Sequence, residues 1–156
     1  MKMIPLIGAV LCLAGCASPY QEIGFRGGVS AQQVTTDTWR ISARGNAYTG
    51  KTRIQDFVLM KAAETTKAAG GTHFFVGSSQ DATSRDTIVS PGQTTTTFSG
   101  RQAFSVTTPG SVDTVIKPGE DTYVRVITLP PRAPVPQGAI SAEEIIRFVG
   151  PRLVES

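Results

Sequence analysis

The chain contains one histidine, His73, and two cysteines, Cys12 and Cys16. Acid–base and triad chemistry needs an imidazole beside a carboxylate and a nucleophile. His73 stands instead between Thr72 and the pair Phe74-Phe75, in a stretch with strand character, and reads as structural. Two Cys and one His cannot close a four-ligand Cys/His zinc site within one chain. Asp81 and Asp86 lie among Ser and Thr and offer hard oxygen ligands, but their spacing fits no calcium loop. Gly24-Phe25-Arg26-Gly27-Gly28 lacks the preceding strand and following helix of a phosphate cradle. Glu120-Asp121 and Glu143-Glu144 read as solvated or capping carboxylates. The sequence has no G-x-S-x-G elbow, no H-E-x-x-H, no P-loop and no G-x-G-x-x-G. The prediction is a non-enzymatic chain with no catalytic residue and no metal.

The cysteine with chemistry to do is Cys16. Lys2 precedes an uncharged run, Met3–Gly15, of 13 residues. That is short of the roughly 20 residues of a membrane span but suits the hydrophobic region of a signal peptide. The run closes on Leu13-Ala14-Gly15-Cys16, which resembles the lipobox of bacterial lipoproteins. Small side chains beside the scissile bond fit a narrow peptidase site, and the thiol is the lipid acceptor. The resemblance implies lipid transfer to Cys16, cleavage between Gly15 and Cys16, and acylation of the new amine. Cys12 leaves with residues 1–15, so no intramolecular disulfide remains, and the lipid on Cys16 is the only expected cofactor. Two or more acyl chains at ~0.8 kcal/mol per buried methylene make a stable anchor. Ala17 follows the cysteine where Asp would favour inner-membrane retention. The resemblance therefore implies an outer-membrane lipoprotein facing the periplasm.

Charge agrees with a chain that does not seek nucleic acid. The 156 residues carry 15 basic and 12 acidic groups, a formal +3, and losing Lys2 leaves +2. That balance is too weak and too scattered for a nucleic-acid footprint. The length suits a single domain.

The elements that must position any site follow from periodicity. Residues 16–36 have little pattern and read as the lipidated N-terminus and a tether, reaching at most ~70 Å at ~3.3–3.6 Å per residue. Tyr20 and Phe25 are expected to pack somewhere. Trp39-Arg40-Ile41-Ser42-Ala43-Arg44 alternates as a half-buried strand, with Trp39, Ile41 and Ala43 inward. Thr52 and Gln55 match a capping box, opening a helix whose packing face is Ile54, Phe57, Val58, Ala62, Thr65 and Ala69. Leu59 and Met60 lie on other flanks, and Gly70-Gly71 stops the helix. Thr72–Val76 reads as a strand, completing a βαβ-like unit.

Thirteen of the 32 residues in 80–111 are Ser or Thr, which buries little apolar surface and favours a long mobile loop. The rival is an edge hairpin of Thr95–Phe98 with Ala103–Val106, since Thr suits strands. Val112–Ile116 and Thr122–Leu129 read as a hairpin turned by Lys117-Pro118-Gly119-Glu120. After the prolines at 130, 131, 134 and 136, Ser141 and Glu144 make a second capping box, and Ile140 with Ile145 has staple spacing. The last helix buries Ala142, Ile145, Ile146 and Val149 and is expected to end at Gly150-Pro151. The fold class is α+β: a single domain over 37–156, ordered β-α-β, long loop, β-β, α, with the helices on one sheet face.

With the lipobox, several short stretches make the chain similar to a family of small proteobacterial lipoproteins of uncharacterised function. They are Gly24-Phe25, Gly45-Asn46, Lys61-Ala62-Ala63-Glu64-Thr65, Gly71 with Phe74-Phe75, and Ala142-Glu143-Glu144-Ile145-Ile146. The resemblance implies an envelope location and a shared small fold, and supplies no ligand or catalytic residue. Outside Cys16, the candidate partner-binding residues are Arg40, Arg44 and Phe75, on the sheet face away from the helices. His73, Tyr123 and Arg125 are possible neighbours there. Such a face suits an anionic glycan, a lipid headgroup or an envelope protein. The bland alternative is a solvated face with Phe75 covered by the 80–111 loop. An enzyme, or an enzyme cofactor, acting on cell-wall material is the other functional class, weakened by the lack of an acid–base pair.

Overall fold

The computed structural model describes residues 17–154. The expected α+β class holds: among the described residues there are two helices and nine strands, every strand pairing antiparallel. Strand β1 (Gly28–Gln33) pairs with β2 (Thr38–Arg44), and helix α1 (Lys51–Ala68) leads to β3 (His73–Asp81). Four further strands follow, β4 (Ser84–Ser90), β5 (Gln93–Ser99), β6 (Gln102–Thr108) and β7 (Ser111–Lys117), before β8 (Gly119–Ile127) returns to the body. The short β9 (Ile140–Ser141) runs into α2 (Ala142–Val154).

The main sheet has the order β1-β2-β8-β3-β9. β8 lies between β2 and β3 and is antiparallel to both, so the βαβ-like unit has its two strands parallel but unpaired. The alternation of β2 has the expected phase. Ile41 and Ala43 are fully buried under α1, Trp39 is half-buried on the same side, and Arg40 is exposed on the other. Phe57 and Ile54 of α1 meet Phe74 of β3 and Val124 of β8 in one apolar cluster. α2 packs on α1 and adds Ala142, Val149 and Leu153. On α1, Ala63 and Thr66 take the buried places expected of Thr65 and Ala69.

Helix ends follow local chemistry, with two departures. Gly70 takes φ 76, its N–H bonds to Lys67 O and that of Gly71 to Thr66 O, a Schellman ending that a side chain with Cβ would strain. The Ser141 hydroxyl accepts from the Glu144 N–H at 3.4 Å, as the second capping box requires. The first box does not form. α1 starts two residues early, on Gly50, which caps without a side chain, so Thr52 lies inside the helix. α2 continues through Gly150-Pro151 to Val154, because burying Leu153 in the core outweighs the amide that Pro151 lacks.

Two larger expectations are corrected. Residues 17–36 are not a tether. Ser18 is fully buried, Tyr20 stacks edge-on against Phe57 at 5.5 Å, and β1 forms the sheet edge. The pattern was hidden because Gly27 and Gly28 adopt φ 92 and 135, and a Cβ on either would come within 2.5 Å of a backbone oxygen.

Residues 80–111 are not a long loop: the rival hairpin of Thr95–Phe98 with Ala103–Val106 forms, as part of a longer arm, and Lys117-Pro118-Gly119-Glu120 is not a turn. β4 pairs with β7 and β5 with β6, extending the β3–β8 pair into one ribbon whose paired numbers sum to 201 from Ser79 to the tip. Gly100, at φ 62, opens the two-residue turn at the far end, as a type II′ hairpin prefers. Pro118 and Gly119 merely interrupt the long strand opposite Ala82, whose N–H bonds to Gly119 O at 3.0 Å. A second interruption sets Pro91-Gly92 against Pro109-Gly110. Every residue from 84 to 114 is exposed. The arm is held by its backbone ladder and by hydroxyl pairs such as Thr94–Thr107 at 3.0 Å and Thr96–Ser105 at 2.8 Å.

Candidate functional site

The register of β2, β8 and β3 builds the outer sheet face. Arg40 stands opposite Tyr123, and Phe75 opposite Arg125. Successive side chains alternate across the sheet, so Arg40, Tyr123, Arg125, Phe75 and His73 share the face away from α1. A hollow of about 310 Å³ lies there, lined by Thr38, Phe75, Gly77, Tyr123 and Arg125. Gly77 matters for its shape, because a Cβ there would stand 3.2 Å from Tyr123 O. The arm leaves Phe75 half-exposed rather than covered.

Electrostatics divide the three sheet-face candidates. Arg40 is exposed and donates only to the amide oxygen of Gln32, at 2.5 Å. Arg44 makes a bidentate pair with Asp121 at 2.9 and 3.0 Å and also reaches the carbonyls of Ala43 and Glu120. That hydrogen bond from Arg44 holds the Asp121 carboxyl below the usual carboxylate range. Arg44 is thus committed to the sheet, while Arg40 and Phe75 remain presented. Arg125 rims the hollow and donates to Asp37 at 2.7 Å, which lowers the Asp37 carboxyl. His73 contacts the Thr72 hydroxyl at 3.0 Å.

A second concavity, of about 780 Å³, was not anticipated. It runs between the β1–β2 edge and α1, with Trp39, Gln33, Asp37, Lys61 and Glu64 in its walls. Lys61 bonds to Glu22 at 2.5 Å, and the Tyr20 hydroxyl donates to Glu64 at 2.7 Å. Burial first, then Glu64, pushes the Tyr20 hydroxyl far up, so it stays a proton donor. The inward phase of Trp39 was legible, but the groove needs β1, which sequence periodicity missed.

Gly15 and Cys16 lie outside the described residues. Asp81 accepts from the Thr83 N–H at 2.8 Å, and Asp86 from Lys117 at 2.6 Å, so the arm pairs them separately. Among the described residues no group of three or more His, Cys, Asp or Glu gathers to hold a metal, and no helix is long and apolar enough to cross a membrane. No family model, curated protein or solved structure matches the chain.

Proposed function

We propose that this chain is an outer-membrane lipoprotein facing the periplasm. In this reading it is anchored by lipid on Cys16, and its domain binds another envelope component without catalysing a reaction. The observation that carries the reading is the junction of Leu13-Ala14-Gly15-Cys16 with a domain whose first buried residue is Ser18. An anchor so placed has one residue, Ala17, between lipid and fold. Ala17 in place of Asp supports the outer membrane. The binding surface is the outer sheet face, where Arg40 and the Phe75–Tyr123–Arg125 hollow set cations beside aromatic rings. That combination suits an anionic glycan or an acidic protein surface.

Metabolic labelling with a tagged fatty acid tests the anchor. The wild type takes the label and Cys16→Ser loses it. Label retained by Cys16→Ser removes the localisation. Photo-crosslinkers at Arg40, Phe75 and Tyr123 test the face in cells, and one abundant adduct, lost in Arg40→Ala with folding intact, is the expected result. Crosslinks from the arm alone would move the site there. Hydrolysis of purified cell wall, abolished by one side-chain change, would replace binding with catalysis.

A further inference from the structure

We infer that the surface around Ser18 is a membrane-docking face, seated on an anionic lipid surface through Phe25, Arg26 and Tyr48. This rests on the lipid anchor at Cys16. Ser18 is fully buried and fastened from several sides. Its N–H donates to Thr49 Oγ1 at 3.0 Å, its hydroxyl donates to Arg26 O at 2.7 Å, and Ser18 Oγ accepts from the Asn46 N–H at 2.9 Å. Its carbonyl accepts from Arg53 Nε at 3.1 Å. Two Cα steps separate Ser18 from Cys16, so the lipid attachment lies within ~8 Å of this network. The body has no slack with which to stand off the bilayer.

What surrounds that point suits a lipid surface. Gly24 and Gly27 exchange backbone hydrogen bonds at 3.1 and 3.0 Å, making a tight loop with Phe25 and Arg26 at its tip. Ser18 holds this loop directly through Arg26 O. Phe25 is fully exposed, with an apolar ring at the apex of this hydrogen-bonded turn, and Arg26 beside it is exposed too. Tyr48 is 73% exposed, on the turn whose Asn46 N–H also bonds to Ser18. An apolar ring to enter the acyl boundary, a phenol for the headgroup level and the Arg26 guanidinium for phosphates are the elements of an interfacial contact. Gly27 is needed for this geometry, since a Cβ there would lie 2.6 Å from Ser18 Oγ.

The test uses the full mature lipoprotein, reconstituted into vesicles of phosphatidylethanolamine doped with phosphatidylglycerol. Phe25→Cys is labelled with an environment-sensitive fluorophore, and Thr96→Cys carries the matched label on the arm. Both side chains are exposed, so neither change disturbs the core. The label at 25 should brighten several-fold, shift to the blue and be quenched by spin-labelled lipid, while the label at 96 does none of these. A label at 25 that stays in water, on chains that float with the vesicles, overturns the docking and leaves the anchor intact. Brightening without quenching by lipid places a second copy of the chain on this face and also overturns it. A wild-type chain that reacts with the thiol reagent and does not float carries no lipid on Cys16. That result defeats the anchor and, with it, the docking.

Discussion

The β3–β8 pair and the arm that continues it are the same ribbon under two regimes. In the body, Phe74 and Val124 turn one side of the ribbon into core because α1 lies over them. Beyond Ala82 the alternation continues, but no second layer of the described residues covers either side, and Phe98 and Phe104 stay exposed. Fully burying a side chain of this size contributes about 1.5–3 kcal/mol, and the arm gains none of it. Its order comes from ladder hydrogen bonds, Thr propensity and the Gly100 turn, a combination that is marginal for an isolated hairpin. Tethering to the folded body supplies what the arm lacks, because β3 and β8 already hold its two ends in register.

The largest test of this contrast is a pair of equal truncations. Phe57→Ala should cost about 3–5 kcal/mol in denaturant unfolding, since the ring is fully buried where both helices meet the sheet. Phe104→Ala should stay within about 0.5 kcal/mol, as an exposed position does. Equal losses would mean that the arm is packed against something in solution.

Excision comes next. Replacing residues 83–118 with Asn-Gly closes Ala82 onto Gly119, which are already bonded across the ribbon. The body should lose about 1 kcal/mol, mainly the bond from Gly45 N–H to Pro118 O. Circular dichroism should lose strand signal without loss of cooperative melting. A chain that no longer folds would show that the arm helps to hold the body together.

The smallest effect is in pH. Asp121 is held below its ordinary value by Arg44, so the folded state favours its ionised form. This contributes stability above the ordinary carboxylate value, and it is lost as pH falls below about 4 through the lower folded value. Arg44 is more than a third solvated, which limits the amount to under ~1 kcal/mol. Acid titration of unfolding should show a shallower slope in Arg44→Gln than in the wild type. An unchanged slope would assign acid sensitivity to other carboxylates.

The parts of this fold that sequence made readable are those where one face meets one neighbour. Trp39 to Ala43 alternates because a single helix covers it. Gly70 and Ser141 end or begin helices through bonds to residues three to five positions away. In the arm, composition favours a loop over the hairpin that forms, because a scarcity of apolar residues measures how little core a segment can build, not whether its backbone can pair. Pro118-Gly119 looked like a turn because its partner, Ala82, is remote in sequence. Residues 17–36 read as a tether because their buried positions, Ser18, Gly27, Gly28 and Val29, include one apolar side chain among small residues, too few to make a hydrophobic period. The site divides in the same way. Strand phase put Arg40 and Phe75 on one face, but the commitment of Arg44 to Asp121 needs the β2–β8 register.

The two interruptions of the ribbon give it a mechanical character. Pro91 and Pro109 carry no amide hydrogen, and Gly92 and Gly110 approach so closely that a Cβ on either would meet backbone within 3 Å. The paired strands are therefore interrupted at Ala82/Gly119 and again at this crossing. From Ala82 to Gly100 the ribbon extends up to ~60 Å at ~3.3 Å per residue. The tip at Gly100 thus stands far from a root that β3 and β8 fix to the sheet. Torque applied at Gly100 should therefore break the ladder at these two interruptions before it disturbs the buried rings of Phe57 and Phe74.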